Sequence, residues 1–69
     1  MIEDYLYKHA NLDDYRNTGG NNNFIAGITY TRRLMADATG VPIGDLRANT
    51  YAMSVVAKAL RSQEVNRKV

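Results

Sequence analysis

His9 is the residue best suited to acid–base chemistry in this chain, because it is the only histidine and cysteine is absent. Three carboxylates stand near it along the chain, those of Asp4, Asp13 and Asp14. A catalytic base also needs a nucleophile or an acid held at hydrogen-bond distance. The two serines, Ser54 and Ser62, lack the sharp glycine-flanked turn that exposes a nucleophile. We therefore expect His9 to be a surface or partly buried helical residue, and we predict that the chain is not an enzyme.

The other chemistry-bearing patterns predict neither a metal site nor a cofactor site. Asp13 and Asp14 are adjacent, and adjacent positions on a helix do not face each other. A single histidine and no cysteine exclude a multi-histidine or thiolate metal site within one chain. The glycines do not follow the spacing of a phosphate-binding or dinucleotide-binding loop. We expect no cofactor, no metal and no small-molecule substrate.

Tyrosine is frequent, with five residues in a chain of 69. Its ring buries apolar area while its hydroxyl stays wet, which suits contact surfaces as well as cores. Tyr5 and Tyr7 point to different sides of a helix, so at least one of them should be exposed. For the other tyrosines, the alternative explanation is that their rings only fill the hydrophobic core. The residues that we predict to contact a protein partner are Tyr5, Tyr7, Leu46, Met53 and Leu60.

Residues 33–46 carry the most specific pattern in the chain. Ala36 is small enough to let two helices cross closely, and Gly40 follows four positions later, where a turn is needed. Val41 and Leu46 then supply apolar anchors for a second helix. This arrangement resembles a helix-turn-helix DNA-binding unit, which implies that the second helix lies in the major groove.

The resemblance implies contacts from polar residues on and around the second helix. Arg47, Asn49 and Thr50 would reach base edges, while arginines and lysines nearby would reach phosphates. The full set of candidate nucleic-acid-binding residues is Arg32, Arg33, Arg47, Asn49, Thr50, Lys58 and Arg61. A plain αα-hairpin stays open as the alternative, because Pro42, Gly44 and Asp45 do not suit a recognition helix and any close helical turn would use the same small residues.

The spacing of apolar residues predicts an all-α fold: an N-terminal helix, a loop rich in asparagine and glycine, and a C-terminal αα-hairpin. The first helix covers residues 2–16, or is divided in two if Asn11 caps a second short helix. Residues 17–23 form the loop. The second helix covers residues 24–39, with Asn23 as its N-cap, although residues 24–31 also suit a strand.

The hairpin is expected to turn at Gly40, in the left-handed conformation, and to continue at Pro42, in the first turn of the next helix. The third helix then covers residues 42–64, because Leu46, Met53 and Leu60 recur at seven-residue spacing.

The length and the net charge of the chain limit the functions that it can have. A chain of 69 residues with a net charge of +2 forms one small domain, spanning residues 1–69, whose core is marginal without disulfides or a metal. We expect a partner to supply the missing support, either a second copy or a larger protein. The acidic start and the lack of a long apolar run predict a cytoplasmic protein that does not contact a membrane.

Two functions follow from these patterns. The first is a small nucleic-acid-binding or regulatory protein that acts as a dimer on DNA through its helix-turn-helix-like hairpin. The second is a protein-interaction or assembly module that self-associates or docks on a larger protein.

Overall fold

Four α-helices account for most of the backbone in the computed structural model, which describes residues 1–18 and 24–67. They are α1 (Ile2–His9), α2 (Leu12–Asn17), α3 (Phe24–Thr39) and α4 (Thr50–Arg67), with a short 3-10 helix at Ile43–Asp45 between the last two. No strand occurs in these two ranges. The predicted all-α class is therefore confirmed for the described residues.

The N-terminal segment is two helices and not one, because the chain is extended at the junction of α1 and α2. Ala10 has φ −63° and ψ 130°, and Asn11 has φ −132° and ψ 126°. The Asn11 side chain accepts hydrogen bonds from the backbone N–H groups of Asp13 (2.8 Å) and Asp14 (3.3 Å). This is N-capping, which satisfies donors that lack a partner at a helix start. Of the two alternatives for residues 2–16, the one with a capping Asn11 is confirmed.

The predicted helix over residues 24–39 is confirmed at both ends, and the strand alternative for residues 24–31 is wrong. Gly40 follows it with φ +76°, as predicted, and donates its N–H to the Ala36 carbonyl at 2.8 Å. Only glycine adopts that φ without steric cost. The loop was predicted to begin at Asn17, but Asn17 is the last residue of α2, and Thr18 follows it in a turn. The cap predicted at Asn23 and the rest of the loop lie outside the described residues.

The helix predicted from Pro42 to Glu64 is wrong at its start, since α4 begins only at Thr50. Pro42 precedes the short 3-10 helix, and Leu46 after it is extended, with ψ 146°. The Asn49 side chain then accepts a hydrogen bond from the Ala52 N–H at 2.7 Å, which makes Asn49 the cap of α4. Gly44 would weaken a helix that starts at Pro42, whereas Asn49 caps a start at Thr50, so the later start is favoured.

The core lies where α1 packs across α3 and α4. Its most deeply buried side chains come from all three helices: Leu6, Ala10, Tyr30, Leu34, Met35, Ala52, Val56 and Ala59. Small residues on α4 let that helix approach closely. In the described part of the chain, each helix is too short or too polar to cross a membrane.

Candidate interaction surfaces

Tyr30 and Gln63 hydrogen-bond to backbone groups at the junction between α1 and α2, three of which, the Asn11 N–H, the Leu12 N–H and the Ala10 carbonyl, have no backbone partner there. The Asn11 N–H donates to the Tyr30 hydroxyl at 2.6 Å, and that hydroxyl donates to the Asn11 carbonyl at 3.0 Å. The Leu12 N–H donates to Gln63 Oε1 at 2.9 Å, while Gln63 Nε2 donates to the Ala10 carbonyl. Unpaired buried backbone groups are costly, so these two side chains hold α3 and α4 in fixed positions against the junction. Burial raises the pKa of the Tyr30 hydroxyl.

A bidentate ion pair joins the end of α4 to the start of α2. Arg67 donates to the two carboxylate oxygens of Asp13, at 3.0 and 2.9 Å. These hydrogen bonds, together with the positive charge of Arg67, lower the pKa of Asp13, and the same contacts raise the pKa of Arg67. The helix was predicted to end at Glu64, whereas α4 continues to Arg67, where this contact is made.

The Asp13–Arg67 pair is expected to stabilise the fold at neutral pH and to stop doing so in acid. Because folding lowers the pKa of Asp13, its contribution is present above the unfolded-state pKa and is lost as the pH falls through the folded-state value. Chemical denaturation should show Asp13→Asn less stable than the original chain at pH 7, and the difference should shrink as the pH falls through the folded-state pKa of Asp13. Asp14→Asn is the control, because it lies in the same helical turn without touching Arg67. An equal loss in both variants would contradict the prediction.

An apolar groove runs between α3 and α4 on the outside of the core. Its volume is about 310 Å³. It is lined by uncharged side chains only, those of Tyr15, Phe24, Gly27, Thr31, Met53, Val56, Ala57 and Leu60. Phe24 stands at its rim and is 70% exposed. An open apolar surface beside an exposed aromatic ring is typical of a contact surface.

The residues predicted to contact a partner are only partly brought together. Met53 and Leu60 both line the groove. Leu46 does not continue their stripe, because it precedes α4 and packs half-buried against the core. Tyr7 is 51% exposed, on the separate surface of α1, as expected for one of the two tyrosines. Tyr5 is half-buried and stacks on the exposed His9 ring at 4.2 Å.

The sequence reasoning missed Phe24, Gly27 and Ala57 as groove residues. Glycine and alanine at these positions leave the space that forms the groove: a Cβ at Gly27 would come no closer than 3.9 Å to the Tyr15 hydroxyl. The signal in the sequence that could have indicated a groove is the presence of small residues inside two consecutive helices.

The predicted nucleic-acid-binding residues fall into two groups. Two of them already make contacts within the fold: Arg32 donates to the Ile43 carbonyl at 2.9 Å, and Asn49 caps α4. The others are exposed and, among the described residues, make no ion pair: Arg33, Arg47, Thr50, Lys58 and Arg61. Arg33 lies apart from α4, in a second cleft of about 210 Å³ that Asp14 and Asp37 also line. The predicted set therefore divides into residues that make contacts within the fold and residues that are exposed.

Titratable side chains are scattered in the described ranges. No group of three or more histidine, aspartate or glutamate side chains there is close enough to hold a metal ion.

Comparison with known proteins finds no match to this chain among protein-family models, curated proteins or solved structures. The argument for function therefore depends on the groove and on the exposed charges.

Proposed function

We propose that this chain is a small, non-enzymatic protein-interaction module that binds apolar side chains of a protein in the groove between α3 and α4. The observation that supports it is the groove itself, an uncharged recess with an exposed phenylalanine at its rim. Helical surfaces commonly bind in such grooves through side chains spaced three and four residues apart. A chain of this size without disulfides also gains stability from a bound partner.

Site-specific photo-crosslinking tests this proposal in the cells that make the protein. A photoreactive amino acid replaces Ala57, which is exposed in the groove, or Thr29, which is exposed on α3 outside it. We expect a discrete crosslinked protein from position 57 and none from position 29. Absence of an adduct at position 57, or the same adducts from both positions, would contradict the proposal.

A second candidate function is nucleic-acid binding by a regulatory protein through the α3–α4 hairpin. It is supported by the exposed cations that make no ion pair within the described residues, above all Lys58 and Arg61, which share the outer side of α4 with Tyr51. Cations beside an aromatic ring suit phosphates and bases. Ten residues separate α3 from α4, from Gly40 to Asn49, and a helix-turn-helix has a shorter turn. This candidate therefore ranks below the first.

Electrophoretic mobility shifts on duplex DNA test the second candidate. Its affinity should fall steeply with salt, and the paired change Lys58→Gln/Arg61→Gln should reduce the salt slope by about 2. The control is Lys8→Gln/Arg16→Gln, which removes equal charge from exposed positions on α1 and α2. Lack of binding at low salt, or equal loss in both paired variants, would remove this candidate.

A further inference from the structure

The apolar groove and the aromatic ring that projects beside it belong to the same surface of the molecule. Phe24 both lines the groove and is 70% exposed at the start of α3. A twofold dimer requires one patch that complements itself, with a projection and a recess close together. This patch contains both. We propose that the occupant of the groove is a second copy of this chain, bound about a twofold axis with each Phe24 against the groove of the other copy.

With the twofold axis placed at Ala57, which lines the groove, the charges on α4 suit an antiparallel pairing. When two α4 helices cross antiparallel at Ala57, Glu64 of one copy lies beside the partner's Thr50, because both positions are equally far from Ala57 along the chain. The first turn of α4 contains no acidic residue. A helix N-terminus carries partial positive charge, so a carboxylate from the other copy stabilises it. The antiparallel arrangement makes this favourable contact twice.

The residues between these two ends fit the same arrangement. Met53 and Leu60 lie on either side of Ala57 within the groove, so in this register Met53 lies beside the partner's Arg61, whose aliphatic stem can cover it, and Leu60 lies beside the partner's Ser54. Lys58 and Arg61 are exposed, and Lys58 lies outside the set of groove-lining residues. The dimer therefore leaves Lys58 in water. The contact is small beside the roughly 800 Å² per partner of a standard stable interface, so we expect dissociation constants in the micromolar range.

This inference rests on the proposed function, and sedimentation velocity tests it separately. Between roughly 1 and 500 µM, the original chain should shift from the mass of one copy to that of two. Ala57→Glu should stay monomeric, because it places a charge in the groove, whereas Thr29→Glu, which places the same charge at an exposed position of α3 outside the groove, should dimerise like the original chain. Thermal unfolding followed by circular dichroism verifies that both variants are folded.

A second variant tests the direction of pairing. Glu64→Gln removes the carboxylate from both helix ends and should weaken dimerisation roughly three- to thirtyfold, while Glu3→Gln on α1 should not. A chain that stays monomeric at every concentration, or an Ala57→Glu variant that dimerises normally, would overturn the inference. If the crosslinking at position 57 still yields an adduct with a different protein, the proposed function stands and only the identity of the partner is wrong.

Discussion

Replacing Gln63 with methionine is expected to lower the free energy of unfolding by about 1–3 kcal/mol, because it leaves the Leu12 N–H and the Ala10 carbonyl without their hydrogen-bond partners. Methionine has a similar length, so packing changes little while both hydrogen bonds are lost. In a domain of this size, each kcal/mol lowers the melting temperature by roughly 4–8 °C. Thermal unfolding followed by circular dichroism measures the change.

Two further variants separate this effect from general damage to α4. Asn66→Met makes the same kind of change at an exposed position one turn nearer the end of the helix and should be nearly neutral. Gln63→Glu keeps an acceptor for the Leu12 N–H but sets a carboxylate oxygen against the Ala10 carbonyl, so at pH 7 it should be at least as destabilising as Gln63→Met. Equal losses in Gln63→Met and Asn66→Met would show that the hydrogen bonds at the junction do not stabilise the fold.

The largest loss of stability is expected for Leu6→Ala. Leu6 is only 1% exposed and belongs to the cluster in which α1 packs against α3 and α4. Removing a fully buried leucine side chain costs about 2–5 kcal/mol, since apolar burial is lost and a cavity remains. Domains of this length have a total stability of roughly 3–10 kcal/mol, so a large share of the folded population should be lost at 25 °C.

Tyr7→Ala is the matched control for Leu6→Ala. It removes a larger side chain from the adjacent position of the same helix, but that side chain is 51% exposed. Urea denaturation should show a much smaller change for it. Similar losses in the two variants would mean that α1 is anchored by its outer side, contrary to the packing described above.

Local signals in the sequence predicted those elements whose ends are marked by residues with a strong backbone preference. Helix α3 was predicted at both bounds, since Gly40 ends it in a conformation that favours glycine. The start of α4 was misplaced because the apolar spacing continues back to Leu46, although Leu46 reaches the core from an extended segment. The capping asparagine at position 49 was visible in the sequence and was assigned to base contacts instead.

Contacts between distant parts of the chain could not be predicted. Nothing near Gln63 in the sequence indicates that its side chain binds the backbone at Ala10 and Leu12. The groove was half predicted: Met53 and Leu60 follow helical spacing, whereas Gly27 and Ala57 matter through the volume that they leave empty. Periodicity records which faces are apolar, but the distance between two such faces depends on how the helices cross.

The packing of the first helix against the last has a consequence for synthesis on the ribosome. Because α1 contacts α4 and Gln63 completes the junction after α1, the nascent polypeptide cannot bury Leu6 until nearly all of the described sequence has emerged. These contacts between the two ends of the described sequence form last, so we expect Leu6 and Tyr30 to stay accessible to chaperones until α4 has emerged.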